Sequence, residues 1–176
     1  MSMKRLLIIM VAVLSALSFA GCGSTSSLSQ SEKKARKAAE QAMYVKAITE
    51  RNFELEVTQI IPHGFPSRTS QAEYFMTVKD DVVNTRLPYM GDSHYAVMGG
   101  EEISIVFDNE EVAIKQDFSD AQKGEYRYAF TGCAEKGSWQ ITLQLYDNGR
   151  AHIGCFSPSR GSMSFIAEIK LPSNNE

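Results

Sequence analysis

Three histidines are the first candidates for chemistry in this sequence, because histidine with cysteine or a carboxylate can bind a metal ion. His152 and Cys155 are three positions apart in a predicted strand, where alternation turns the two side chains to opposite faces. His63 and His94 fall in separate predicted loops, and no Cys-x-x-Cys or His-x-x-x-His spacing is present. The sequence therefore predicts no metal site and no cofactor.

Serine and cysteine nucleophiles also lack the partners that catalysis requires. Ser138 and Ser162 each follow a glycine but stand outside the Gly-x-Ser-x-Gly elbow that exposes a catalytic serine. Cys133 could form a catalytic pair with a histidine, but no feature of the sequence supports such a pair. Glycosidases need two carboxylates across a cleft, whereas the adjacent acids here fall at predicted turns or strand edges. These acids are Asp80-Asp81, Glu101-Glu102 and Glu110-Glu111. The sequence therefore predicts no catalytic residue.

The longest irregular stretch runs from Pro88 to Gly100 and contains several glycines. It carries apolar and aromatic side chains, which in a long loop often contact a partner or ligand. We therefore regard it as a candidate binding loop. The alternative is that it folds back and closes one end of the sheet structure. The candidate residues are Pro88, Tyr89, Met90, Tyr95 and Met98.

The amino terminus has the order of a bacterial lipoprotein signal. Met3-Lys4-Arg5 is basic, Leu6 to Phe19 is an almost uninterrupted apolar run, and Ala20-Gly21-Cys22 follows. The apolar run has about 14 residues, short of the roughly 20 that span a bilayer. The small residues before the cysteine resemble the lipobox, so we predict a signal peptide at 1–21 and lipidation, including palmitate, on Cys22. The alternative is an ordinary secreted protein with an incidental cysteine.

Charge and composition set expectations about location and partners. Residues 22–31 form a Ser/Gly-rich linker without the acidic run that often follows the lipidated cysteine in surface-exported lipoproteins of Bacteroidetes. We therefore expect a periplasm-facing anchor in the cell envelope, in the outer membrane rather than the inner. Residues 22–51 carry six cations and three acids, which favours either anionic headgroups or a simple solvated tether. Residues 52–176 carry ten cations and eighteen acids, which argues against a nucleic-acid partner.

Periodicity divides the mature chain into one helix, one β domain and a tail. Small apolar residues recur at helical spacing over 32–51, after serines that can cap the first turn. From 52 to 171, apolar and polar residues alternate, which is typical of half-buried strands. Asp80-Asp81 and Asp108-Asn109 predict tight turns, and 172–176 is a polar tail.

About eight or nine short strands at roughly 10-residue spacing follow the helix in this interpretation. That pattern predicts a mainly β fold: an antiparallel β-sandwich or small barrel preceded by one N-terminal α-helix. A closed barrel removes the exposed edges that a single sheet would leave.

The strongest turn signal is Asp147-Asn148-Gly149, because glycine adopts the positive φ of a hairpin turn at little cost. Pairing across this turn sets Leu143 near Ile153 and Ile141 near Cys155. Cys155 is therefore predicted to be a small core residue. Cys133 is out of phase with its own strand's apolar residues and one strand further away, so we predict no Cys133–Cys155 disulfide.

Several short motifs together resemble one known family. The motifs are Ile48–Val57, Leu87-Pro88-Tyr89-Met90-Gly91, Gly99-Gly100, Asp147-Asn148-Gly149, Ser157-Pro158-Ser159-Arg160 and Met163-Ser164-Phe165. As a set they resemble the DUF4251 family, which comprises lipoproteins of Bacteroides and relatives without an assigned function. The likeness covers about residues 40 to 170. It implies a lipoprotein signal and a β-rich domain, and it supplies no activity, substrate or catalytic residue.

These observations favour a lipid-anchored, non-catalytic envelope protein that binds or scaffolds another envelope component. The second hypothesis is a carrier whose β interior holds a small apolar molecule, and a hydrolase is the third and least favoured. The residues that would line the carrier's interior are Trp139, Phe130, Tyr128 and Phe165.

Overall fold

A computed structural model describes residues 30–71, 73–90, 104–134 and 137–171. The predicted signal peptide, Cys22, the linker as far as residue 29 and the tail at 172–176 lie outside these residues. The chain divides into two units, Met1–Ala35 and Arg36–Glu176. Of the first unit, the structure describes only residues 30–35, which are helical and exposed.

Helix α1 spans Gln30–Thr49, close to the predicted 32–51. Within the second unit, only its last turns pack against the β domain. Ile48 is fully buried, and Tyr44 and Val45 are half-buried against the core. The Tyr44 ring lies over the turn at Gly149, where a Cβ atom would be 2.6 Å from the ring. In the described residues, no helix is both long enough and apolar enough to cross a membrane.

In the described residues, ten antiparallel strands follow the helix and form one sheet. The strands are β1 Asn52–Pro62, β2 Arg68–Thr69, β3 Phe75–Lys79, β4 Val82–Pro88, β5 Ser104–Glu111, β6 Lys115–Asp117, β7 Glu125–Ala134, β8 Gly137–Tyr146, β9 Arg150–Ser157 and β10 Gly161–Lys170. In sheet order they are β5-β4-β3-β1-β10-β9-β8-β7-β6, with β2 paired to β1 outside this order.

The sheet curls into a half-barrel, so the predicted mainly β, antiparallel fold with one N-terminal helix is confirmed. Strands β5 and β7 stand near opposite ends of the sheet order, yet they approach each other. The Phe107 ring lies so close to Gly132 that a Cβ atom there would be 2.8 Å from it. Glu110 Oε1 accepts a 2.8 Å hydrogen bond from the Cys133 backbone N–H. Side chains therefore close the seam between β5 and β7.

Alternation along the strands turns one apolar face inward and one polar face outward. The predicted hairpin is confirmed, because Leu143 pairs with Ile153 and Ile141 with Cys155. Cys155 is buried, and Cys133 is exposed; both thiols are free. The largest fully buried side chains include Trp139, Phe107, Phe165, Leu55, Met76, Leu143 and Ile153.

One predicted turn is wrong. Asp80-Asp81 does connect β3 to β4, with Asp80 at φ 55°. Strand β5, however, continues through Asp108-Asn109 and pairs as far as Glu111. The register shifts at this point, and Asn109 has φ 50°. Because asparagine tolerates the left-handed region, the segment forms an irregularity within the strand and does not reverse the chain.

Candidate functional site

The predicted binding loop is described only in its first three candidate residues. Pro88 and Tyr89 are buried and Met90 is half-buried, whereas Tyr95 and Met98 lie outside the described residues. The Tyr89 ring packs edge-on against Trp139 with 5.5 Å between centroids. The Met90 backbone N–H donates a 3.0 Å hydrogen bond to the Met163 sulfur. The described start of the loop therefore belongs to the core.

A buried cation also lies at this end of the half-barrel. The Arg160 guanidinium lies 5.9 Å from the centre of the Tyr89 ring, a cation–π arrangement. Arg160 is 7% exposed, and it lies in the turn in which the Ser157 and Ser159 hydroxyls are 3.2 Å apart. These contacts fit a loop that closes the end of the sheet. The binding-loop hypothesis for the remaining loop residues stays a prediction.

A carrier would need its interior aromatic side chains to contact the ligand, but here these side chains pack against other core residues. Trp139, Phe130, Tyr128 and Phe165 all belong to one buried apolar cluster. The Tyr128 hydroxyl donates a 2.6 Å hydrogen bond to the Ile48 carbonyl at the end of α1. Burial raises the pKa of Tyr128 to about 12, so its hydroxyl stays protonated at neutral pH. These four residues thus act as core side chains in the described structure.

A different feature lies on the outer face of β6, β7, β8 and β9. Two adjoining hollows of about 440 Å³ and 480 Å³ open there, and Lys115, Ala129 and Thr142 line both of them. Each volume falls within the range of roughly 300–1,000 Å³ that is usual for small-ligand sites. We call the joined depression the outer groove. Its polar lining includes Lys115, Thr131, Gln140, Thr142, Gln144 and His152.

Small residues keep the floor of the outer groove low. Ala129, Thr142 and Gly154 pair side by side across β7, β8 and β9. A Cβ atom on Gly154 would be 2.6 Å from Thr142 Oγ1, so a larger residue there would displace the threonine. The outer groove therefore depends on small side chains that meet only through the strand register.

Rows of longer side chains border this floor on both sides. Arg127, Gln144 and His152 form one cross-strand row, and Thr131, Gln140 and Phe156 form the other. The rows lie four residues apart along β7, which is about 13 Å at 3.3 Å per residue. From β6 to β9 the groove crosses three strand spacings, or roughly 14 Å. The outer groove is thus large enough for a small oligomeric ligand.

The polar side chains of the groove have hydrogen-bonding capacity to spare. Several lining residues make no side-chain hydrogen bond or ion pair with a residue that the structure describes. They include Lys115, Thr131, Gln140, Gln144 and His152. Thr142 Oγ1 is 3.4 Å from the Gly154 carbonyl, to which it donates. Amide, hydroxyl and imidazole groups therefore converge on one depression and can all bind a polar ligand.

Of the cationic side chains that the structure describes in the groove, Lys115 is the one without an ion pair. Arg127 lies at the rim and is held by Glu125 at 2.7 Å, Asp120 at 3.0 Å and Asp117 at 3.7 Å. The hydrogen bond and charge of Glu125 raise the pKa of Arg127 above its ordinary value. The pKa of Asp117 is lowered, first by a hydrogen bond from a nearby backbone N–H. Arg127 is thus neutralised, and Lys115 carries the available positive charge.

The metal and nucleophile candidates from the sequence are separated by the fold. His152 is half-buried on the outer face, and Cys155 is buried on the inner face. Burial raises the pKa of Cys155 to about 12, which keeps it a neutral thiol. His63 is exposed beyond β1, and His94 is outside the described residues. Among the residues described, no three His, Cys, Asp or Glu side chains form a group that could hold a metal ion.

Sequence reasoning missed the outer groove. Its signal was present in the outward positions of three strands, where the small residues Ala129, Thr142 and Gly154 stand between longer polar ones. Among the strand pairings beneath the groove, the pairing of β8 with β9 was predictable from the hairpin turn at Gly149. The pairing of β6 with β7, which brings Lys115 beside Ala129, has no local signature.

The fold and groove define a class: a mainly β half-barrel domain with one N-terminal helix and a polar depression on its outer face. A family model described as "Domain of unknown function (DUF4251)" matches residues 35–169, so the chain belongs to the DUF4251 family. A crystal structure of a DUF4251 family protein from Bacteroides eggerthii is similar, with a TM-score of 0.55 and 16% identity. The match covers 77% of this chain and 90% of that one. No curated protein matches.

Proposed function

We propose that the protein is a lipid-anchored component of the bacterial cell envelope that acts as a non-catalytic binding or scaffolding module. The predicted signal at 1–21 and the lipobox-like cysteine at Cys22 support the anchor. The linker without an acidic run supports a periplasm-facing position, in the outer membrane rather than the inner. The protein's membrane contact is then the lipid on Cys22.

The outer groove is the observation on which the binding function rests. It collects amide, hydroxyl, imidazole and ammonium groups around a floor of small residues, in two hollows that share Lys115, Ala129 and Thr142. Polar groups placed around a concave surface are the usual means of orienting a ligand. The interior offers a carrier less support, because Trp139 and Phe165 are buried among other core residues.

The chemistry-bearing residues of the described chain support a role without catalysis. Cys155 is a buried neutral thiol, and His152 faces the opposite side of the sheet. In the groove itself, Asp117 is engaged by a backbone N–H and Arg127 by three carboxylates. General acid–base catalysis needs a proton donor and acceptor within hydrogen-bond reach of one reacting atom. The groove residues can supply hydrogen bonds for binding.

The anchor is tested by metabolic labelling with a clickable palmitate analogue in the native host. We expect label on the native protein and its recovery with membranes. Cys22→Ser should lose the label and leave the membrane fraction, whereas the control Cys133→Ser should keep both. Equal labelling of the native protein and Cys22→Ser would contradict the anchor.

The binding role is tested by photo-crosslinking in intact cells. A photoreactive amino acid replaces Thr142 in the outer groove or, as a matched control, the outward-facing Thr77 on β3. We expect a discrete crosslinked product, with an envelope component, from position 142 and none from position 77. Absence of a product at position 142, or the same products at both positions, would refute binding through this surface.

A further inference from the structure

We infer that the outer groove binds a short oligosaccharide that carries a carboxylate, with Lys115 as the partner of that carboxylate. This inference rests on the proposed binding function and names the ligand class. It follows from four properties of the groove as the structure describes it: side chains with unused hydrogen-bonding groups, central strands that are paired on both sides, a lysine without an ion pair, and an exposed aromatic neighbour.

The hydrogen-bonding groups of the groove suit a ligand dense in hydroxyls. Gln140, Gln144, Thr131 and His152 each present groups that can donate or accept, and none of them is bonded to a described residue. A sugar ring also carries donors and acceptors on every side, so it can satisfy several of these groups at once. An apolar ligand would leave them unpaired and desolvated, which is costly.

The strands beneath the groove disfavour an extended peptide as the occupant. Strand β7 pairs with β6 and β8, and β8 pairs with β7 and β9. Their backbone groups under the groove are therefore already used in the sheet. Peptides that bind sheets usually add a strand at a free edge and gain affinity from main-chain hydrogen bonds. Above β7 and β8 only side chains are available, and β6, whose outer edge is unpaired among the described strands, is only three residues long. This arrangement favours a ligand with its own hydroxyl groups.

The charges favour a ligand with one carboxylate over a polyanion. Lys115 lines both hollows and makes no ion pair with a described residue. Asp117 lines one of the hollows, and Asp120 lies within 3.0 Å of Arg127 at the rim. A densely charged anion would be repelled by these carboxylates, whereas a single carboxylate can reach Lys115.

An exposed aromatic ring borders the groove. Phe156 is 44% exposed on the outer face of β9 and pairs across the sheet with Gln140. An aromatic face is an apolar surface with negative charge density, which suits the C–H side of a sugar ring. The groove of about 13 Å by 14 Å then holds a few sugar units between Phe156 and Lys115.

The experiment uses the whole chain, solubilised in detergent, on an array of defined oligosaccharides. The array contains neutral, uronic-acid-containing and highly sulfated members, and calorimetry measures the affinity for each member that binds. We expect binding to uronic-acid-containing oligosaccharides. The neutral analogue of the same chain should bind at least 5-fold more weakly.

Paired variants locate the binding site. Gln140→Ala and Lys115→Gln should each weaken binding about 5-fold or more, the effect expected for one lost hydrogen bond or ion pair. Gln122→Ala and Lys79→Gln make the same chemical changes at exposed positions outside the groove, and should leave the affinity unchanged. Ala129→Phe should abolish binding, because the larger side chain would fill the groove on the outer face of the sheet and would not enter the core.

Each outcome decides the inference. If no array member binds while the probe at position 142 still captures an envelope protein, the saccharide inference is overturned and the binding function survives. If saccharides bind equally to Ala129→Phe and to the native protein, the groove is not their site and the inference is wrong. Preferential binding of the sulfated members would overturn the role assigned to a single carboxylate.

Discussion

Replacing Gly132 by alanine tests the side-chain closure of the half-barrel. A Cβ atom on Gly132 would be 2.8 Å from the Phe107 ring, and that ring is only 1% exposed, so it has little room to move. Overpacking of this kind costs about 1–3 kcal/mol. Alanine also lowers the conformational entropy of the unfolded chain, which stabilises the folded state by about 0.4–1 kcal/mol and partly offsets this cost. We therefore expect Gly132→Ala to lower the free energy of unfolding by about 1–2 kcal/mol.

A double-mutant cycle with Phe107→Leu isolates the contact. The smaller leucine makes room for the new methyl group, so in that background Gly132→Ala should stabilise the protein by the unfolded-chain term of about 0.4–1 kcal/mol. The coupling free energy should be about 1–3 kcal/mol, the cost of the overpacking, well beyond the roughly 0.3–0.5 kcal/mol scatter of independent sites. Urea unfolding of the four proteins, analysed with one m value, gives these free energies. Additive effects would refute the contact between β5 and β7.

Three further predictions concern buried and charged groups. Tyr128→Phe removes one hydrogen bond to the Ile48 carbonyl, which still accepts one from the Arg51 backbone N–H, and should lower the unfolding free energy by about 0.5–1.5 kcal/mol in urea; an unchanged midpoint would contradict that bond. A thiolate-directed reagent should label Cys133 in the folded protein and Cys155 only after unfolding, because burial raises the pKa of Cys155 to about 12. Peptide mapping that finds both labelled at equal rates would contradict this burial. The pKa of Asp120 in the folded protein is lowered, chiefly by the hydrogen bond that Lys123 donates to it. Its ionised carboxylate therefore stabilises the fold at pH values above its ordinary pKa of 3.8, and this stabilisation is lost as the pH falls through the lower pKa of the folded state. Asp120→Asn should therefore flatten the loss of stability between about pH 5 and pH 2, and an unchanged pH profile would argue against the interaction.

The sequence predicted what short-range patterns control. Alternation identified the inward faces of the strands, and Asp147-Asn148-Gly149 set the register that places Cys155 opposite Ile141. The positive φ of Gly149 fits a tight hairpin turn at this point, and the turn sets the register in which β8 pairs with β9. The same reasoning correctly placed the turn at Asp80-Asp81.

The sequence did not predict features that depend on long-range pairing. Strand β1 pairs with β10 although more than one hundred residues separate Leu55 from its partner Ile169, and no local pattern encodes such a choice. Asp108-Asn109 has the composition of a turn, but pairing of β5 with β4 on both sides keeps the strand continuous. The outer groove also forms only when β6 joins β7. Its residues look like ordinary solvent-facing positions until the register is known.

Native mass spectrometry of the detergent-solubilised whole chain most directly tests whether the outer groove, and not the interior, is the binding site. The protein is purified gently from its native host, with the Ala129→Phe variant alongside, and each is measured with and without a uronic-acid-containing oligosaccharide. We predict that the native protein gains the mass of the saccharide and that the variant does not. A reproducible apolar adduct on both proteins, extractable into organic solvent, would contradict the account and identify an interior carrier.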